Sequence, residues 1–341
     1  MMEYSGKYEV FDVSKIKTYP LSTRPSKVKV SDLKELDEIL KNPPILDEKT
    51  ASSIEEIAET ILKAKRDNRK VMIISGAHII KNGLGTFLIW LIKNNLVDHI
   101  AVNGAFTIHD FELAFAGMTS ESIPNALSEG KFGFAKETGE ILNKSIVKGN
   151  ELKLGYGETL GKLLSQKLQG FEGLEFPHKN KSVVYNAYEY GIPLTVHVGI
   201  GTDINHMHPS FDGGAIGACS ARDFLIMAES VSELRDGVCI LIGSAVVGVE
   251  VFLKAISMAA NTGRPPYGLI TADFDIRDAN IFDAERGDES KPTYYFRDIK
   301  SIVVRIPQSF KGKGYYIKGD QRITLPFLWY QLFNLRNEGD R

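Results

Sequence analysis

The chain has 341 residues, 43% of them hydrophobic and 25% charged, with a formal net charge of −2. That length buries the core of one large domain or two, and the composition is that of an ordinary globular protein. The balanced charge removes any electrostatic case for a nucleic-acid or anionic-membrane partner. Two cysteines, Cys219 and Cys239, are too few for a disulfide framework. No apolar run reaches the ~20 residues that span a bilayer and no signal peptide opens the chain, so the expected location is the cytoplasm.

In chain order, residues 1–30 are polar with scattered lysines and read as an extended arm. An acidic helix is expected from Asp32 to Asn42, ended by Pro43-Pro44. A second is expected behind a Ser52 or Ser53 cap, with Ile54, Ile57, Ala58, Ile61 and Leu62 at helical spacing. An alternation then sets in. Val71 to Ile74 is a short apolar strand ending in Ser75-Gly76-Ala77-His78, and Leu84 to Lys93 is an amphipathic helix. His99 to Val102 is a strand ending in Asn103-Gly104-Ala105. Residues 118–180, rich in Gly, Lys and Glu, read as an insertion or lid, with helical stretches near Lys136 to Asn143 and Thr159 to Gln169. A helix beginning at Ser182-Val183-Val184 leads to a strand at Ile192 to Val198. Helices are expected over Ala221 to Leu234 and Val246 to Ala260, with a strand at Val238 to Ile242 between them. Leu269-Ile270 ends in Thr271-Ala272-Asp273, and Thr324 to Tyr330 reads as a core helix. Short apolar strands alternating with helices predict an α/β fold: a Rossmann-like parallel sheet with helices on both faces. Several strands end in small or polar residues, which together would line one edge of the sheet as a nucleotide site requires.

The densest polar segment follows the strand at 192–198. Residues 199–214 form a glycine-rich loop with Asp203, Asn205, His206, His208 and Asp212. Asp203 could hold ribose hydroxyls, because a carboxylate accepts two hydrogen bonds in one plane; it could equally cap the loop. Asp203, His206 and His208 could instead ligate a metal, with His109 and Asp110 completing the shell. Gly243-Ser244-Ala245-Val246-Val247-Gly248 joins a strand to a helix, so Gly243 would let the backbone approach a phosphate, or merely allow close packing. His78 and His109 each follow a strand end, as proton-transfer groups or as structural histidines. Cys239 reads as a buried thiol; Cys219 follows the loop and could be reactive.

These residues resemble the deoxyhypusine synthase family over about residues 70–335. The anchors are Gly83 through Val97-Asp98, Ile192-Pro193 to Asp203, Gly243 to Val247, Thr271-Ala272, and Asp320 to Pro326. The resemblance implies a Rossmann-like NAD-binding fold, a homotetramer and active sites between paired subunits. It implies a reaction in which NAD oxidises spermidine, an enzyme lysine forms an imine, and an aminobutyl group passes to a protein lysine; a related branch makes homospermidine from small amines. NAD contacts would fall on Ala77, His78 and Lys81, on Asn103, Gly104 and Ala105, on Asp203, on Thr271 and Ala272, and on Asp320 and Gln321. The organisation expected is an N-terminal arm and helices over 1–66, then one NAD-binding domain over 67–335.

The chemical half departs from that family. Its catalytic histidine aligns with Val249, and its lysine nucleophile with Asp298 in Tyr295-Phe296-Arg297-Asp298-Ile299-Lys300, so that Lys300 serves only if the loop shifts by two residues. The acids that grip polyamine ammonium groups become Ile108, His109 and His208, and imidazoles hold a polycation less well. The reading is therefore an NAD-dependent enzyme acting on an amine or polyamine-like substrate by way of an imine, other than a true deoxyhypusine synthase. His109, His206 and His208 would move protons and Lys300 would be the nucleophile, with Lys81 a weaker one. The alternatives are a metal-dependent hydrolase or lyase using Asp203, His206 and His208, and a non-catalytic NAD-binding protein.

Overall fold

A computed structural model describes residues 4–339. Six parallel strands form the central sheet: β1 (Val71–Ser75), β2 (His99–Asn103), β3 (Leu194–His197), β4 (Val238–Ile242), β5 (Ile270–Asp275) and β6 (Lys313–Lys318). Their order is β3-β2-β1-β4-β5-β6, with Val71 beside Val238 and Met72 beside His99. The order reverses between β1 and β4. Connections leave that point in opposite directions, which opens a crevice at the carboxyl ends of the strands, the place where open α/β sheets bind ligands.

The apolar runs in β1 and β4 follow from burial on both faces. Val71 and Ile73 join the core beneath α1 (Glu48–Arg66), α2 (Gly85–Lys93) and α9 (Gln321–Gly339). Met72 and Ile74 join the opposite core beneath α7 (Gly213–Ser232) and α8 (Val247–Asn261). Between β2 and β3 the chain forms α3 (Gly104–Ala116), α4 (Lys136–Glu151), α5 (Tyr156–Leu164) and α6 (Val183–Glu189). Fully buried Cys239 bears out the packed-thiol reading, and Cys219 is also buried, its thiol pushed up to about 11 by burial, so it carries no reactive thiolate at neutral pH.

Several boundaries differ from those read in the sequence. The first long helix starts at Glu48 because Asp47 caps it, its carboxylate accepting the Thr50 N–H at 3.0 Å. The acidic helix shrinks to Leu36–Lys41. β5 runs on to Asp275, so Thr271 and Ala272 lie inside the strand rather than at its end. β6 was absent from the sequence reading: its Lys313-Gly314-Tyr315-Tyr316-Ile317-Lys318 alternation is short and charged at both ends, as an outer strand is. Within 118–180, α4 and α5 are not peripheral: Leu142, Ile146, Tyr156, Leu160 and Leu163 belong to the main core. Gly157 of α5 sits so close to β3 that a Cβ there would lie 1.7 Å from the Leu194 carbonyl oxygen. Among the described residues, no helix is long and apolar enough to cross a membrane.

Candidate functional site

At the strand reversal the two backbone turns that leave β1 and β4 touch. A Cβ on Gly76 would lie 2.3 Å from the carbonyl oxygen of Gly243, whose φ of +55° is itself in the left-handed region. Gly248, in the first turn of α8, would drive a Cβ to 2.5 Å from Ile74. The glycines therefore bring backbone, not side chains, to the centre of the crevice. On either side lies a cleft, and the short helical turn His78–Lys81 separates them.

The first cleft lies beyond β1 and β2 and has a volume of about 200 Å³, with Lys81, Ala105, His109, Glu112, Thr202 and Asp203 among its lining residues. Asp203 is 7% exposed. Its carboxylate rests on the start of α3, in the space left by Gly104, where a Cβ would come within 2.1 Å of Oδ2. Burial pushes its acid up to about 6, against the Thr202 hydroxyl and the Ala105 N–H, which favour the charge. Oδ2 has no hydrogen-bond partner although it is buried. An acceptor in that state costs free energy unless a donor reaches it.

His109 stands opposite. Its Nδ1 is 2.7 Å from the Thr119 hydroxyl, which donates to Glu112 Oε2 at 2.6 Å. With the Thr119 proton committed to Glu112, Nδ1 must carry the hydrogen, which leaves Nε2 as the acceptor. Burial pushes His109 down to about 4, so the ring is neutral at pH 7. Glu112 is fixed in turn by the Thr138 hydroxyl at 2.8 Å and by a two-pronged pair with Arg24, at 2.8 and 2.7 Å. Arg24 reaches in from the N-terminal arm, which nothing in the sequence ties to this site. Glu112 was missed for a similar reason: it falls mid-helix, where a charge normally faces solvent.

The second cleft lies beyond β4 and β5 and has a volume of about 250 Å³, with His78, Gly243, Asp273, Asp275, Asp298, Asp320 and Gln321 among its lining residues. Asp273 and Asp298 are each 1% exposed, and burial raises the pKa of both, Asp273 the more. Arg277 pairs with Asp275 and Asp298. Asp320 pairs with Arg322 at 2.6 Å, which lowers its pKa.

The predicted site residues thus divide. Lys81, Ala105, His109 and Asp203 line the first cleft, and His78, Gly243, Asp320 and Gln321 the second. Ala77 precedes the turn that separates them, and Gly104 makes room for Asp203. Asn103 caps α3, its side-chain oxygen accepting the Phe106 N–H at 3.0 Å. Thr271 and Ala272 do not reach either cleft: both are fully buried, and the Thr271 hydroxyl donates to the Ile302 carbonyl at 2.6 Å. Lys300 is also displaced. Its ammonium lies over the Tyr294 ring, 3.8 Å from the centroid, while Asp298 takes the place on the cleft wall.

The two loop histidines serve the loop. His206 Nδ1 accepts the N–H groups of Gly201 and Asp203 at 3.1 and 3.3 Å, which places its hydrogen on Nε2. His208 is 2% exposed and its Nε2 donates to the Gly133 carbonyl at 2.8 Å. One nitrogen of each ring is spent on backbone, and His206 Nε2 lies 4.0 Å from Asp203 Oδ2, beyond hydrogen-bond reach; among the described residues Asp203, His206 and His208 do not come close enough together to form a metal shell. Asp110 is likewise engaged, accepting the Val183 N–H at 2.7 Å as a cap of α6.

No family model and no curated protein sequence matches the chain. Solved structures do. The chain is similar to ArgZ, an arginine dihydrolase from the ornithine–ammonia cycle in cyanobacteria, at 13% identity and a TM-score of 0.52, covering 85% of this chain and 34% of that one. AgrE in its ternary complex with ornithine and NAD+ gives 16% identity and a TM-score of 0.51, over 86% of this chain and 34% of that one. A candidate deoxyhypusine synthase from Entamoeba histolytica matches at 12% identity and a TM-score of 0.47, over 94% of this chain and 97% of that one. The chain spans about a third of the length of ArgZ and AgrE. At these identities the likeness to ArgZ and AgrE shows the Rossmann-like fold and nothing finer.

Proposed function

We propose that the protein is an NAD-dependent enzyme that acts on an amine or amino-acid-like substrate. One observation carries the cofactor half: the buried, donorless Oδ2 of Asp203, seated at the start of α3 on the rim of the crevice. A ribose offers the hydroxyl donors that this oxygen lacks. The touching glycines at 76 and 243 leave a backbone cradle where a pyrophosphate could pass between the clefts. The residues present thus fit the group: Asp203 and Ala105 at one ribose, Lys81 beside the phosphates, and His78, Gly243 and Gln321 toward the far end. AgrE, which shares the fold, is seen with ornithine and NAD+.

When bound, NAD would accept a hydride from a carbon that bears nitrogen. The chain's own part is to bind and orient. The neutral His109, locked as an acceptor at Nε2 by Thr119 and Glu112, would hold or take a proton in the first cleft. Among the described residues no lysine lines the second cleft, where Asp298 stands in the place expected of Lys300, so the reaction we favour does not pass through a Lys300 imine.

We further propose a homotetramer with sites covered between subunits. Large apolar side chains stand exposed on segments that leave the carboxyl edge of the sheet: Ile200 at 60%, Val246 at 64%, Ile276 at 69% and Phe282 at 67%. A partner face over that edge would cover them.

The test is to mix protein and NAD with a panel of primary amines and basic amino acids and follow bound NADH by fluorescence. The reading predicts NADH with at least one of them. NAD binding with no NADH from any amine would favour the non-catalytic reading.

A further inference from the structure

The second cleft holds more negative charge than the chain neutralises. One oxygen from each of Asp273, Asp275 and Asp298 lies within 4.8 Å of the others. Asp273 and Asp275 stand two residues apart at the end of β5, which puts them on one face of the strand, and Asp298 caps the helical turn Ile299–Arg305 that precedes β6. Arg277 is the one cation paired to the trio among the described residues, and it pairs with Asp275 and Asp298 only. Asp273 Oδ2, on a side chain 1% exposed, has no donor at all. Gln321 Oε1, on the same cleft wall, has none either. A hydrogen-bond donor or a proton could answer one such oxygen. Two orphan acceptors face one cleft in which three carboxyl groups meet a single guanidinium, and a cation, which has no acceptor of its own, would answer both.

We infer that Asp273, Asp275 and Asp298 form a site for a hard divalent cation of the Mg²⁺ or Mn²⁺ class, with Gln321 Oε1 as a further oxygen donor. Such ions take oxygen ligands only, and one or two carboxylates with retained water suffice to hold them. Arg277 is the tethered stand-in. Its backbone carbonyl is held by the Tyr316 hydroxyl at 2.7 Å, while its guanidinium lies over Phe296 at 4.5 Å from the ring centroid. Its side chain is 31% exposed, so it can swing toward solvent and leave the backbone in place. An arriving cation would take its position between Asp275 and Asp298 and complete the coordination of Asp273.

The site shares its cleft with the far end of the proposed NAD site, so its test contains no NAD and its failure leaves that reading standing. Metal-stripped full-length protein is titrated with Mn²⁺, and the free-ion paramagnetic resonance signal is followed. The expected result is one Mn²⁺ taken up per chain, weakened at least tenfold in Asp273→Asn and tightened in Arg277→Gln, which removes the internal competitor. A thermal melt on each variant confirms that it is folded. No uptake by the wild type, uptake unchanged by Asp273→Asn, or Arg277→Gln no tighter than wild type would overturn it. So would retention of butylammonium, a bare primary ammonium, in a protein that ignores Mn²⁺.

Discussion

Arg24→Met would test how the N-terminal arm is tied to the sheet edge. Arg24 and Glu112 have side chains 3% and 1% exposed, and the pair makes two parallel bonds at 2.8 and 2.7 Å. Removing the guanidinium leaves a buried carboxylate with two hydroxyl partners, Thr119 and Thr138, and no counter-charge. Breaking one side of such a pair costs about 3–5 kcal/mol, whereas an exposed pair is worth about 1 kcal/mol or less. Replacing both partners removes the stranded charge, so Arg24→Met with Glu112→Leu should be markedly more stable than Arg24→Met alone. Urea unfolding followed by circular dichroism measures all three. A single variant that loses less than about 1 kcal/mol would refute the account, because Glu112 would then have found water or a proton that the structure does not provide.

Gly76→Ala should fail to fold or lose several kcal/mol (about 3 or more), because its Cβ meets the Gly243 carbonyl, backbone that cannot rotate away; soluble yield and urea midpoint report this. Lys300→Met should leave NAD turnover within about twofold, since its ammonium faces Tyr294 and not a cleft; a loss of a hundredfold or more would restore the lysine mechanism. Asp203 gives a pH signature. Its acid sits at about 6 in the fold against an ordinary 3.8, so its ionisation opposes folding, and the stability it contributes below pH 4 is lost as pH rises through about 6. In the unliganded protein Asp203→Asn should therefore gain stability over wild type at pH 8, by up to about 3 kcal/mol, and none at pH 4. Ribose hydroxyls reverse the preference, so NAD affinity should fall by about tenfold per pH unit below pH 6, which calorimetry at pH 5, 6 and 7 can show.

The parallel sheet was legible because strands buried on both faces become continuous apolar runs, as in Val71 to Ile74 and Val238 to Ile242. β6 was not, since an edge strand with Lys313 and Lys318 at its ends looks like a loop. Asp203 stood out because a glycine-rich loop after a buried strand has few other uses, and the structure places it on the wall of the first cleft. The contacts around His109 were not legible: Arg24 reaches Glu112 only through tertiary packing across 88 residues. The histidine-dense loop misled for a related reason. His206 and His208 hydrogen-bond the backbone of an irregular loop, a need that sequence spacing cannot distinguish from metal ligation. The acids at 273, 275 and 298 were hidden by the length of β5: a strand read as ending at Ile270 puts Asp273 in a loop, whereas a strand that runs to Asp275 aims it into the crevice.

The most direct measurement is isothermal titration of NAD into wild-type protein and into Asp203→Asn at pH 7.5. Exchanging the carboxylate for an amide keeps the shape and removes the charged acceptor, worth about 1.5–3 kcal/mol per hydrogen bond to ribose. Micromolar binding by the wild type, weakened by about tenfold to a hundredfold in the variant, is the predicted result. No heat with the wild type, or equal affinity in both, would contradict the assignment of this crevice to NAD.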